Sequence, residues 1–334
     1  MCIRYLLIKY FKLQQKNNFE NFQSFSNKYI NNDKLVEEIN LMNNFKNNWR
    51  KKIGSILTKE SFKIIEIYVN KYSDYTKVFV KVNHSFILEN APSLHTSSEI
   101  LNFIFILTKK KYTWIITDII NKEYFPSMYR TVSEKDKYTI EDNTNNYYYD
   151  YKINYWKIKS MNIENLKKQY DKTCSMYRSN YIDRSYPMKY NYKEAINYAR
   201  KYALNYNSEY KHFDNAGGDC TNFVCQCIHA GGINTTSTWK PYSNSWIRVN
   251  ELYYYLTRKG IGVDDTSSKT YNTGSIIQFY TNTKNYFSHS GLITASLPNG
   301  DYLYCCHSYD KLDFPLSEVY PFYFDRIRVI KIMY

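Results

Sequence analysis

The sequence has no apolar run long enough to cross a membrane, which takes about 20 predominantly apolar residues. The start of the chain, residues 1–9, has only a short apolar stretch before charge returns, and no small-residue cleavage site follows it. This stretch is too short for the core of a signal peptide. We therefore expect no transmembrane segment and, by default, a cytoplasmic protein; secretion or attachment to a cell wall by another route stays open.

The cysteines form no regular framework. There are seven, an odd number, and their spacing fits no disulfide pattern. A zinc site built on Cys220, Cys225 and Cys227, with His229 as a fourth ligand, would need these side chains to converge on one point. On a helix, Cys225 falls about 140° and His229 about 180° around from Cys220. We expect no bound metal and no cofactor.

The chain also lacks a concentrated basic arm, although 45 Lys and Arg residues against 31 Asp and Glu residues give a net charge of +14. The positive charge is spread over Lys-rich turns, and the densest run, residues 109–111, fits a solvated hairpin turn. A nucleic-acid partner would rest on charge alone and predicts steeply salt-dependent binding, so we expect none. A basic surface also suits an anionic cell-wall polymer.

Composition and texture predict a globular α+β protein with two folded regions. Hydrophobic residues make up 43% of the 334, which excludes a disordered chain. In the first region, 1–125, spaced apolar residues over 16–53 predict one or two amphipathic helices. Four segments rich in β-branched and aromatic residues then predict an antiparallel meander: 64–69, 78–82, 100–107 and 114–120. This order resembles the cone-shaped fold of nuclear-transport-factor-like domains. Residues 126–186 are expected to be a linker with one short helix, and 187–334 the second domain.

The most informative segment is Gly217-Gly218-Asp219-Cys220-Thr221-Asn222-Phe223. Apolar residues at i, i+3, i+4, i+7 and i+8 from Cys220 predict a helix that runs to Ala230, with Asp219 capping its first turn. A helix N-terminus lowers the pKa of a cysteine from about 8.5 toward neutrality, and its free N–H groups can stabilise an oxyanion. The spacing alone fits a small buried hydrophobic cysteine better than a nucleophile.

Two histidines further along the chain favour the nucleophile over the buried hydrophobic cysteine. Short strands and turns from residue 275 onward predict an antiparallel sheet that curls against the Cys220 helix. His289 begins one strand and His307 ends its hairpin neighbour, so the two rings can lie side by side. A cysteine and a histidine so placed form a nucleophile and a base. Either histidine alone is more commonly structural, whereas the pair together with Cys220 favours catalysis.

The segment 219–227, followed shortly by Ala230-Gly231-Gly232, resembles the signature of the putative amidase domain family. That family is a bacterial branch of the papain-like cysteine hydrolases, related to CHAP amidases and other cell-wall peptidases. The resemblance extends from about residue 190 to the C-terminus, under half of the chain. Cys225 stands where the family usually has Ser, and Ser275 where it usually has Asp. Further matches follow in the family's order: Tyr198-Ala199, Asn205, Trp239, Ser245-Trp246, 274–277 and 289–291.

The resemblance implies a papain-like catalytic domain that hydrolyses amides, with peptidoglycan-type peptides as the substrate class. It assigns Cys220 as nucleophile, His289 as base and, from cell-wall relatives, His307 as the residue that orients His289; Asp310 is the alternative for that third role. Two other functions stay open, a catalytically silent papain-like binding module and a thiol acyltransferase. Trp239 and Trp246 fit a cleft wall and a core position equally well. The oligomeric state is left open.

Overall fold

The computed structural model describes residues 2–15, 19–91, 96–123, 146–174, 189–214, 216–281 and 284–333. The chain forms two compact units. Unit 1 comprises Met1–Trp49, Leu57–Phe86 and Ile100–Ile163, and unit 2 comprises Arg50–Ile56, Ile87–Glu99 and Glu164–Tyr334. Because the units alternate along the chain, they do not follow the predicted three-part division, which stays a prediction. No helix in the described ranges is both long and apolar enough to cross a membrane.

In the described residues up to 123, three helices are followed by four strands. The prediction of one or two helices over 16–53 is confirmed, with two formed, and all four expected strands are confirmed. Sequence reasoning missed the first helix, whose buried Leu6, Leu7, Tyr10 and Phe11 recur on one face. The likeness to a nuclear-transport-factor domain stays a prediction. The elements are α1 (Ile3–Gln14), α2 (Phe19–Tyr29), α3 (Asp33–Ile53), β1 (Leu57–Lys71), β2 (Thr76–Leu88), β3 (Ser97–Lys110) and β4 (Thr113–Asn121).

Part of the expected linker is helical. Its described residues form two helices, α4 (Asn146–Met161) and α5 (Ile163–Thr173), instead of one short one. In unit 1, α4 buries Trp156 and also Lys152, which forms an ion pair of 2.9 Å with Glu38. The remainder of the expected linker, 126–145 and 175–186, lies outside the described residues.

Unit 2 places helices before an antiparallel sheet, which confirms the α+β class. The strand order is β9-β8-β7-β6-β10-β5, and each neighbouring pair is antiparallel. After α5, the α-helices described in unit 2 are α6 (Tyr192–Tyr202), α7 (Cys220–Ala230), α8 (Asn244–Ile247) and α9 (Val249–Arg258). The strands are β5 (Gly262–Asp264), β6 (Ile276–Thr281), β7 (Tyr286–Ser296), β8 (Tyr302–Cys306), β9 (Lys311–Pro315) and β10 (Arg326–Ile332).

The register of β6 and β7 decides which side chains face α7. Ile276 pairs with Leu292, and both belong to the core cluster that contains the α7 residues Phe223 and Val224. Because successive strand residues alternate between faces, Ser290 lies on this same face. His289 therefore projects from the opposite face of the sheet.

Candidate active site

The turn before α7 depends on two glycines. The helix begins at Cys220 and ends at Ala230, as the sequence predicted. Gly217 and Gly218 adopt φ angles of 107° and 109°, which L side chains rarely reach. A Cβ atom on Gly218 would also come within 3.2 Å of the hydroxyl of Ser308. The two glycines let the chain turn sharply into the helix.

Asp219 occupies the N-cap position, but its side chain does not cap the helix as expected. Its carboxylate instead accepts hydrogen bonds from the N–H of Phe213 (2.8 Å), Nδ2 of Asn222 (2.9 Å) and Nδ1 of His307 (2.7 Å). Three donors, one of them able to carry positive charge, outweigh a single helix N–H. Asp219 therefore fastens the turn and leaves the first-turn N–H groups of α7 uncapped.

His307 binds away from His289. Its Nδ1 bonds to Asp219, and its Nε2 lies 2.8 Å from the carbonyl oxygen of Tyr202. Both ring nitrogens therefore lie within hydrogen-bond distance of an oxygen, one of a carboxylate and one of a backbone carbonyl. His307 and Asp219 are each 1% exposed. The role expected for His307, orienting His289, needs a ring nitrogen that these bonds already use.

Two aromatic rings enclose His307. The rings of Tyr206 and Phe223 stack on its two faces, each with a centroid distance of 4.0 Å. The hydroxyl of Tyr206 donates to Oδ1 of Asp310 at 2.9 Å. Asp310, the alternative third residue, thus holds the ring that covers His307.

The Cys220 thiol is 7% exposed and lies against β7. Its sulfur accepts a hydrogen bond from the backbone N–H of Ser290, which belongs to the peptide group that joins His289 to Ser290. The hydroxyls of Thr221 and Ser290 meet at 3.3 Å and tie the start of α7 to the strand. The sulfur of Cys220 therefore lies beside the backbone of β7 next to His289. The predicted pairing of the thiol with the His289 imidazole stays a prediction. Among the described residues, no hydrogen bond joins the sulfur to the imidazole.

Burial raises the pKa of Cys220, contrary to the sequence-based expectation. Desolvation is the largest cause; the Ser290 N–H and Thr221 lower the pKa, and the charge of Asp219 raises it. A helix terminus contributes about 0.3–1 kcal/mol at an exposed site, whereas burying a thiolate shifts its pKa by up to several units. The resting site holds a protonated thiol.

His289 is a neutral base in a buried position. It is 6% exposed, and burial, followed by the charges of Lys311 and Lys284, lowers its pKa to about 3. Lys311 itself forms a buried ion pair with Glu99 at 2.8 Å. At neutral pH, an unprotonated imidazole is available to accept a proton.

Residues 189–329 match the "Putative amidase domain" family. This match confirms an amidase-like segment; the wider papain-like and CHAP relations stay predictions. Two uncharacterized proteins of Bacillus subtilis (strain 168) are similar to the chain. YjcM is 30% identical over 135 residues, 37% of this chain and 32% of YjcM, and YhbB is 30% identical over 114 residues, 30% of this chain and 36% of YhbB. The chain thus spans about a third of each relative. No solved structure matches it.

Two tryptophans of the amidase-like segment lie in its core, together with Cys225, one of the residues in which the segment departs from the family pattern. Trp239 and Trp246 are fully buried, which decides between a cleft wall and a core position in favour of the core. The indole of Trp239 donates to the Cys225 sulfur at 3.3 Å, and that of Trp246 donates to Oδ1 of Asn222 at 2.8 Å. The thiol of Cys225 is therefore a hydrogen-bonded core group.

Sequence reasoning missed a polar chain that supports β7 within the amidase-like segment. Gln278 is fully buried, and its amide nitrogen donates to the Ser290 hydroxyl at 3.4 Å and to the Val249 carbonyl at 2.9 Å. Arg328 donates from Nε to the amide oxygen of Gln278 at 2.6 Å. Only the register of β6 and β7, which places Gln278 opposite Ser290, signals this contact.

The pKa of His289 makes the protein sensitive to acid. Between pH 6.5 and about 3, the unfolded chain binds a proton that folded His289 does not. The stability contributed by the neutral ring is therefore present above pH 6.5 and is lost as the pH falls. We expect the free energy of unfolding of the wild type to fall by up to about 1.4 kcal/mol per pH unit more steeply than that of His289→Phe. Urea denaturation from pH 8 to pH 4 measures both slopes; equal slopes below pH 6.5 would contradict the prediction.

Proposed function

We propose that the chain is a cysteine-dependent amide hydrolase in which Cys220 is the nucleophile and His289 accepts its proton. One observation carries the proposal: the thiol at the start of α7 is held by the peptide group that joins His289 to Ser290. The match of residues 189–329 to an amidase family supports amide chemistry. The sulfur–imidazole bond is expected to form when substrate binds, because catalytic hydrogen bonds are often loose in a free enzyme.

The proton and the nucleophile move together in this mechanism. The raised pKa of Cys220 and the lowered pKa of His289 both disfavour a resting thiolate–imidazolium pair. The thiol therefore transfers its proton to His289 as the sulfur–carbon bond forms. The imidazolium then protonates the leaving amine as the carbon–nitrogen bond breaks, which leaves a thioester on Cys220. His289 next takes a proton from water, whose oxygen attacks the thioester. The carbon–sulfur bond breaks, the acid is released, and the proton passes from His289 to the Cys220 sulfur, which restores the thiol and the neutral imidazole.

Two features suit this reaction. The uncapped N–H groups in the first turn of α7 supply donors for the oxyanion, beginning with that of Cys220. The net charge of +14 suits an anionic substrate, and peptidoglycan-type peptides are the class that the family resemblance suggests. A thiol acyltransferase would use the same residues and differ only in the acceptor.

A catalytically silent binding module is the second candidate. It is favoured by the raised pKa of Cys220 and by the lack of a described hydrogen bond between its sulfur and the His289 ring. In such a module, Cys220 would be one more buried thiol, like Cys225 and Cys227.

Labelling with iodoacetamide, followed by peptide mass spectrometry, separates the two candidates. We expect His289→Ala to slow alkylation of Cys220 by at least about tenfold at pH 7, because the base that accepts its proton is lost. The exposed thiol of Cys2 reports the reagent's activity in the same sample and should not respond to His289→Ala. A silent module predicts the same slow rate at Cys220 in both proteins.

A further inference from the structure

The turn between β8 and β9 is strained. Its four residues, 307–310, include Ser308 at φ 61° and Tyr309 at φ 123°. Small polar residues tolerate the left-handed region near 60°, whereas a bulky residue at 123° is an outlier in a region that glycine favours. Strain of this kind persists only where surrounding contacts determine the conformation, and it is concentrated at functional sites.

The residues around Tyr309 supply those contacts. Each is fastened by a hydrogen bond to a residue that precedes Cys220 in the chain: His307 to Asp219, Ser308 to Asp214 and Asp310 to Tyr206. The carbonyl oxygen of Tyr309 also accepts a hydrogen bond from the thiol of Cys306. Because Ser308 and Asp310 are both held, the backbone of Tyr309 cannot relax without breaking one of these hydrogen bonds to the segment that leads into α7.

The strained backbone sets the ring of Tyr309 against His289. The ring is half-buried and meets the imidazole edge-on, with a centroid distance of 6.0 Å and an interplanar angle of 60°. Phe324 lies parallel to the imidazole at 6.0 Å, and Phe279 lies at 5.5 Å. These distances are typical of favourable aromatic pairs. Three aromatic rings, which we call the aromatic box, therefore surround His289.

No polar side chain of the described residues orients His289. The causes of its lowered pKa are burial and two lysine charges, with no hydrogen bond among them. His307, expected in that role, uses both ring nitrogens elsewhere. In a triad, a third group holds the base in position through a hydrogen bond. Here the aromatic box is what limits rotation of the ring.

We infer that Tyr309 is a positioning residue for His289, and that the β8–β9 turn is held in a strained conformation to place its ring as the outer wall of the aromatic box. This inference rests on the proposed function, because it gives Tyr309 its role through the base that serves Cys220. It replaces the expected polar third residue by packing. Since the ring acts by shape, its hydroxyl is dispensable.

Three variants, Tyr309→Gly, Tyr309→Ala and Tyr309→Phe, separate strain from positioning. Glycine and alanine both remove the ring, but only glycine relieves φ 123°. We expect the Tm of Tyr309→Gly to exceed that of Tyr309→Ala by about 2–4 °C, the reverse of the usual order. Alkylation of Cys220 by iodoacetamide should slow by roughly tenfold in both, and Tyr309→Phe should retain the wild-type rate.

Lys269 provides a matched control. It is exposed and has φ 62°, so Lys269→Gly should also be more stable than Lys269→Ala, with no change in Cys220 labelling. If His289→Ala leaves the labelling unchanged, the proposed function fails. If His289→Ala slows labelling but Tyr309→Gly and Tyr309→Ala do not, the positioning role alone is wrong. If Tyr309→Gly is no more stable than Tyr309→Ala, the backbone of Tyr309 is not strained and that part of the inference is wrong.

Discussion

Replacing Cys220 by alanine is expected to lower the rate of amide hydrolysis by roughly 10³-fold or more, because no other group can form the covalent intermediate. The alanine variant should fold, since a small side chain replaces a small, 93% buried one whose thiol makes only weak bonds. Turnover of peptide amides and peptidoglycan fragments, followed by mass spectrometry, measures the loss.

Cys225→Ser is the matched control for that loss. It also changes a buried thiol on α7, but one that bonds to Trp239 in the core and has no part in the proposed chemistry. It should retain turnover. Hydrolysis that survives in Cys220→Ala would rule out Cys220 as the nucleophile. An added amine that intercepts the product in the wild type would favour the acyltransferase alternative.

The sequence was sufficient to place α7 because its signals are local. Paired glycines on both sides and an apolar stripe fix both of its ends, and β-branched and aromatic runs located most of the strands. Strand β9 was missed because it does not look like a buried strand: it contains Lys311, Asp313 and Pro315. Both charged residues are buried and form ion pairs with residues distant in the sequence, Lys311 with Glu99 and Asp313 with Arg200.

The site was predicted less well than the fold because its electrostatics depend on distant contacts. A capping bond from Asp219 was a sound local expectation, but the carboxylate binds His307, 88 residues away. The helix terminus predicted a lowered pKa for Cys220, whereas burial by the surrounding unit raises it. Sequence proximity shows which groups can interact, but not how much water the fold excludes from them.

Asp219→Asn is expected to destabilise unit 2 by about 1–3 kcal/mol, because it removes a carboxylate oxygen that forms a buried hydrogen bond with Nδ1 of His307. By contrast, Lys167→Met removes the exposed i,i+4 pair with Asp171 and should cost less than about 1 kcal/mol. Urea denaturation at pH 7 measures both changes.

The double variant Asp219→Asn/His307→Gln tests the reason for that loss. When the His307 ring that bonds to residue 219 is removed as well, much of the destabilisation should disappear, so the two single changes should be strongly non-additive. Gln can still donate to the Tyr202 carbonyl and fit between the rings of Tyr206 and Phe223. Additive losses would mean that Asp219 acts mainly through its bonds to Phe213 and Asn222. A non-additive result would show that the bond between Asp219 and His307 fastens the turn before α7 to the residue that follows β8.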